Sequence, residues 1–182
     1  MYIGENTLFE GAISVSVRLA DGSREESLLR MPPYAKRKPD RTSQGEEVLV
    51  AERSSVICGA VSVSSKDISC LAGRWKRSYE KGLDKLTRMV SGGWISKLYV
   101  FPEYRNRGVG TRLVVAATER LRERGFSEVY TGINVKNEFR EVSEDIFGKN
   151  GFKRVGSCVC LVPDGYCRGA LLKKTIDLTK LR

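Results

Sequence analysis

Residues 98–114 read Leu98-Tyr99-Val100-Phe101-Pro102-Glu103-Tyr104-Arg105-Asn106-Arg107-Gly108-Val109-Gly110-Thr111-Arg112-Leu113-Val114. The stretch begins as the end of an apolar strand (94–100), turns at 102–107 and opens a helix at about Gly110. Gly108 and Gly110 carry no Cβ, so the backbone can turn sharply there and approach a ligand closely. The first N–H groups of the helix have no intrahelical acceptor, and the positive end of the helix dipole lies behind them. Such a terminus binds a pyrophosphate, to which Arg105, Arg107 and Arg112 can add charge-assisted contacts. Neither GxxxxGK[ST] nor GxGxxG occurs in the chain, so the two common phosphate loops are set aside. A glycine pair before a helix also describes a tight turn with no ligand. The surrounding pattern decides.

Upstream, residues 12–19 alternate apolar and polar as a half-buried strand does. Residues 47–52 and 56–64 are β-branched runs joined by a short polar turn, a hairpin. Residues 20–45 are turn-rich and charged, with one short helix around 25–30. At 72–90, Trp75, Tyr79, Leu83, Leu86 and Val90 recur at steps of three and four, a helical stripe ended by Gly92-Gly93. Downstream, a helix at 110–124 turns Leu113, Ala117 and Leu121 inward and stops at Gly125. Strand 128–134 follows, then a helix at 139–149 that turns Phe139, Val142 and Ile146 inward and stops at Asn150-Gly151. Two last strands, 152–162 and 169–178, meet through the turn Pro163-Asp164-Gly165. A strand–helix–strand unit among strand pairs predicts an α/β fold, a three-layer α/β/α sandwich around a mixed, mostly antiparallel central sheet.

At 182 residues the chain suits one compact domain, 1–182. With 41% hydrophobic and 30% charged residues it has the balance of a globular rather than a disordered chain. No apolar run nears the roughly 20 residues that span a bilayer. The opening MYIGENTLFEGA lacks the basic start and apolar core of a secretory signal, so a cytoplasmic location and no membrane partner are expected. The five cysteines (Cys58, Cys70, Cys158, Cys160 and Cys167) are odd in number, and the chain has no histidine. They read as free thiols, with no metal site. The net charge of +10 attracts polyanions without choosing among nucleic acid, anionic lipid and a phosphorylated cofactor. Its densest cluster, Lys36, Arg37, Lys38 and Arg41, sits among prolines and reads as a solvated loop.

The run LYVFPEYRNRGVGTRLV closely resembles the acetyl-CoA-binding motif of the GNAT superfamily of N-acetyltransferases, a strand ending in V-x-P-E-x-R followed by R/Q-x-x-G-x-G/A. Asn137 and IFGKNGF (146–152) resemble the family's second signature, an asparagine before a helix closing in Y-x-x-x-G-F. The resemblance is specific over 94–156, with a cofactor-binding core at 93–156, and follows strand order alone over 46–65 and 166–179. It implies acetyl-CoA as cosubstrate, with Leu98, Tyr99 and Val100 pairing with the pantetheine arm as an added strand would. It places Arg105, Asn106, Arg107, Gly108, Val109, Gly110, Thr111 and Arg112 around the pyrophosphate, with Asn137 and Phe147 near the pantetheine. The implied reaction is direct attack of a primary amine on the thioester, with a strand N–H stabilising the oxyanion and CoA thiolate leaving.

The chain departs from the family in four places, one of them a longer spacing from Asn137 to Phe147. Phe147 stands where a tyrosine often protonates the leaving thiolate, and phenylalanine has no proton to give. The strand at 94–100 carries none of the family's frequent glutamate base. Tyr99, Glu103 and Tyr130 remain as catalytic candidates, Glu138 and Glu141 read as solvated first-turn carboxylates, and no base is assigned. The helical segment at 66–92 reads as an insertion that covers the sheet. The acceptor, peptide, protein or small molecule, is unnamed by the sequence, and a homodimer is compatible with the family. A second reading is a GNAT-fold sensor that binds acetyl-CoA without fast transfer. A third, less favoured, is nucleic-acid binding through 36–41 and the inserted helix.

Overall fold

Glu46–Arg53 (β2) and Val56–Ser64 (β3) form the antiparallel hairpin expected from their β-branched runs, closed by Ser54 and Ser55, both at positive φ. The computed structural model describes residues 13–20, 46–64, 92–134, 138–162 and 165–179, of which 157–162 and 165–168 are described in backbone only. Beside the hairpin lie β1 (Ser16–Leu19) and β4 (Gly93–Val100), then β5 (Glu128–Asn134), β6 (Lys153–Val162) and β7 (Gly165–Thr175). They make one seven-stranded sheet in the order β1-β2-β3-β4-β5-β7-β6. Among the described strands only β4 and β5 pair in parallel. The sheet is therefore mixed and mostly antiparallel, an α/β fold as expected. The short helix at 25–30, the basic cluster at 36–41, the helix at 72–90, Asn137 and Cys70 lie outside the described residues.

Helix α1 (Val109–Glu123) and helix α2 (Arg140–Lys149) share one apolar cluster with one face of the sheet. Leu113, Ala117 and Leu121 of α1 are each 0% exposed, facing inward as their spacing predicts, against Val61, Val63, Ile95 and Val129. Both helices end on glycines at positive φ, Gly125 and Gly151. The next residues, Phe126 and Phe152, donate N–H bonds back to Leu121 and Phe147 at 3.1 and 3.0 Å, the Schellman pattern that satisfies last-turn carbonyls.

The phase expected for α2 is corrected. Phe139 precedes the first helical turn and is 40% exposed, and Val142 is 52% exposed. The buried member is Phe147, whose ring meets Phe152 edge-on at 5.1 Å, with Ile146 partly buried beside it. A ten-residue helix with apolar side chains on two faces lets tertiary contact select the phase, and here the cap contact between Phe147 and Phe152 selects it.

Ion pairs tie α1 to the sheet. Arg120 grips Glu47 with two bonds, Nε–Oε2 at 2.7 Å and Nη2–Oε1 at 3.0 Å. The hydrogen bond from Arg120, more than its charge, holds the Glu47 carboxyl below the usual carboxylate range. A depressed folded-state pKa contributes stability that is present above the unfolded value, about 4.3, and is lost as pH falls through the folded one. Denaturant melts of the wild type should therefore weaken more steeply on acidification below about pH 5 than those of Glu47→Gln, by about 1 kcal/mol or less for one part-exposed pair. Parallel acid limbs would contradict the assignment.

Candidate active site

The parallel contact between β4 and β5 is short. Gly93, Trp94 and Ile95 pair with Val129, Tyr130 and Thr131, and pairing then stops. Beyond it, β4 stays on β3 through Val100, and β5 stays on β7 through Asn134. From Ser96 onward no strand among the described residues lies between the facing edges of β4 and β5, a wedge that opens at the carboxyl ends of two parallel strands. Unpaired strand edges accept an extended chain as an added strand does.

The divergence begins at a bulge. Ser96 lies opposite Ser62 and Tyr99 opposite Ala60, so Lys97 and Leu98 share the space that β3 fills with Val61 alone. Lys97 adopts φ 53°, the left-handed region, which costs a non-glycine residue about 1 kcal/mol or more. The extra residue reverses the side-chain alternation. Ile95 and Leu98, three apart, both join the cluster under the helices, and Val100 follows them, while Tyr99 joins the second cluster with Val50, Ile57 and Ala60. Gly59 on β3 lets the strands close here: a Cβ on it would lie 2.7 Å from the Tyr99 carbonyl oxygen.

At the same end of the sheet the chain leaves β4 through a turn of 3-10 helix, Pro102–Tyr104, and enters α1. Asn106 (φ 58°) and Gly108 (φ 79°, ψ −4°) are both left-handed, and Gly108 caps α1 with no side-chain cap bond. Arg112 donates the first intrahelical bond, to the Gly108 carbonyl at 3.1 Å. The N–H groups of Gly108, Val109, Gly110 and Thr111 thus precede the helical ladder, and the first turn holds no acidic residue. This is a cradle for an anion. Gly110 has a further duty: a Cβ there would come within 3.1 Å of Ile146 Cδ1, so its absence lets α1 and α2 converge beside the wedge.

The arginines divide. Arg107 is exposed at the cradle. Arg112 donates from Nη1 to the Val15 carbonyl at 3.2 Å and so braces α1 against the chain before β1. Arg105 donates from Nε to the Val100 carbonyl at 3.1 Å and stacks over the Phe139 ring at 4.5 Å, joining the end of β4 to the start of α2. Its signal in the sequence, an arginine before the glycines, is the same as that of a phosphate ligand.

The catalytic candidates scatter. Tyr99 packs edge-on against Phe101 at 5.5 Å on the far face from the helices. Glu103 is exposed in the 3-10 turn. Tyr130 is 2% exposed at the paired end of β5, and its hydroxyl donates to Glu128 at 2.5 Å. Burial first, and that bond second, push its phenol above its ordinary value, so it stays protonated. Phe147 is 3% exposed within the core. The wedge and the cradle are adjacent; the titratable candidates do not converge on them. Sequence reasoning missed Lys97, although the apolar spacing Ile95, Leu98, Val100 breaks the period of two and marks a bulge.

A splayed parallel strand pair lies beside the uncapped N-terminus of α1. The family model for "Acetyltransferase (GNAT) family" matches residues 19–152, and the chain belongs to that family. Among solved structures it is similar to yncA, a putative acetyltransferase from Salmonella typhimurium with its cofactor acetyl-CoA, at 19% identity, TM-score 0.60, over 91% of this chain and 95% of that one. A GNAT family acetyltransferase from Elizabethkingia anophelis with acetyl-CoA bound matches at 13% identity, TM-score 0.60, over 89% and 98%. The acetyltransferase of GNAT family from Streptococcus pneumoniae matches at 15% identity, TM-score 0.62, over 90% and 100%. These likenesses concern the fold. No curated protein matches the chain.

Proposed function

We propose that the protein is a single-domain N-acetyltransferase that moves an acetyl group from acetyl-CoA to a primary amine on a peptide, protein or small molecule. One observation carries the reading: β4 parts from β5 after Ile95, directly beside the N–H cradle of Gly108–Thr111. An extended pantetheine matches the unpaired β4 edge, and its pyrophosphate matches the cradle, with Arg107 adding charge. In this reading a backbone N–H in the Leu98–Val100 stretch stabilises the oxyanion as the amine attacks the thioester carbonyl. The C–S bond breaks and the thiolate leaves unassisted by Phe147, which is tolerable for a group of pKa about 8.5. The amine's proton passes to water. No carboxylate among the described residues of the wedge is assigned to take it.

Phe147 also supports a second reading, a module that binds acetyl-CoA and transfers it slowly, because its ring is committed to the core against Phe152. Mass spectrometry after incubation with acetyl-CoA and pooled amines and peptides separates the two. A mass gain of one acetyl on an acceptor, absent without enzyme, supports the transferase. Binding with no product across the pool supports the module.

A further inference from the structure

The bulge where β4 begins to part from β5 carries an ion pair. Lys97 is left-handed although it is not glycine, and its Nζ lies 3.1 Å from Glu46 Oε1, a carboxylate whose side chain is only 6% exposed. Glu46 is the first residue of β2 and lies opposite Ser64, which in turn lies opposite Trp94 of β4. The pair therefore crosses over β3 and ties the bulge of β4 to β2. Were Lys97 to relax into extended backbone, the alternation beyond it would shift by one. Leu98 and Val100 would then exchange faces with Tyr99, and the backbone edge at the wedge would turn with them. The tie lies outside the N–H cradle, so its effect on the two halves of the site separates.

We propose that the Lys97–Glu46 ion pair is a positioning device that holds the left-handed bulge of β4 and so aims the backbone of residues 98–100 at the reacting thioester. This rests on the acetyl-transfer reading. Lys97 does not touch the reacting atoms; it acts through the strand.

Three variants test it: Lys97→Ala and Glu46→Gln, which break the pair and leave a residue with Cβ in the left-handed position, and Lys97→Gly, which breaks the pair but adopts that position freely. Acetyl-CoA affinity measured by calorimetry should stay within about threefold in Lys97→Gly and fall by less than kcat does in Lys97→Ala and Glu46→Gln, because the cradle is untouched and only the edge that meets the pantetheine arm turns. The kcat should fall about tenfold or more in Lys97→Ala and Glu46→Gln and recover to within about threefold of wild type in Lys97→Gly. A glycine variant as slow as the alanine one would overturn the proposal, because the ammonium itself would then be needed. So would full kcat in Lys97→Ala. If the wild type shows no turnover, the functional reading fails by itself, and the amide resonances of residues 98–100 decide instead. They should move in Lys97→Ala and stay near wild type in Lys97→Gly. Unmoved resonances in Lys97→Ala would overturn the positioning role.

Discussion

Replacing Gly108 by glutamate should weaken acetyl-CoA binding by at least about 100-fold, equivalent to about 2.7 kcal/mol, while the protein remains folded. Gly108 sits at φ 79° on the N-cap of α1, where the free N–H groups of the first turn face outward. A side chain there costs about 1–2 kcal/mol in left-handed strain. A carboxylate at a helix start returns some of that through the dipole, so global stability should change little. Binding is different, because the new carboxylate fills the cradle with bulk and with charge of the same sign as a pyrophosphate. Gly108→Ala separates the causes: it carries the strain without the charge and should lose about tenfold or less. Equal losses in the two variants would mean that backbone geometry, not anion recognition, is what Gly108 supplies.

Gly59→Val should destabilise the whole molecule by about 3 kcal/mol or more, seen as a fall in Tm of roughly 6–12 °C for a chain of this size. The position is extended, so the effect is one of space alone. A Cβ would lie 2.7 Å from the Tyr99 carbonyl oxygen, 3.1 Å from Leu113 Cδ1 and 3.3 Å from Val100 Cα. Two of these three are backbone and cannot move without shifting β4. The clash falls where β3 holds the bulged strand and where α1 rests on both, so Gly59→Ala should already perturb the site. A melting temperature within about 2 °C of wild type for Gly59→Val would show that β3 and β4 are not packed as closely as the structure has them.

Much of this architecture is legible in the residues, and the exceptions have causes. The α1 stripe of Leu113, Ala117 and Leu121 reads cleanly because a fifteen-residue helix lying along the sheet buries one face over its length. The phase of α2 does not, because its cap contact overrides the apolar positions at Phe139 and Val142. The glycines of the cradle are legible, since only a left-handed turn and a close helix approach need them at Gly108 and Gly110. The arginines are not, because a guanidinium that braces Val100 or Val15 looks the same in sequence as one that meets a phosphate. The bulge at Lys97 was signalled only by a broken period. The parting of β4 from β5, a fact of pairing between strands distant in sequence, was signalled only through the family's motif.

The measurement that tests the central claim most directly is calorimetric titration of the purified protein with acetyl-CoA, beside a titration with free pantetheine. The expected result is one site per chain, with much tighter binding of acetyl-CoA than of the arm lacking its pyrophosphate, and affinity that falls as salt rises. No heat of binding with acetyl-CoA, confirmed by an unshifted Tm at saturating concentration, would mean that the wedge and the glycine turn are features of the fold alone.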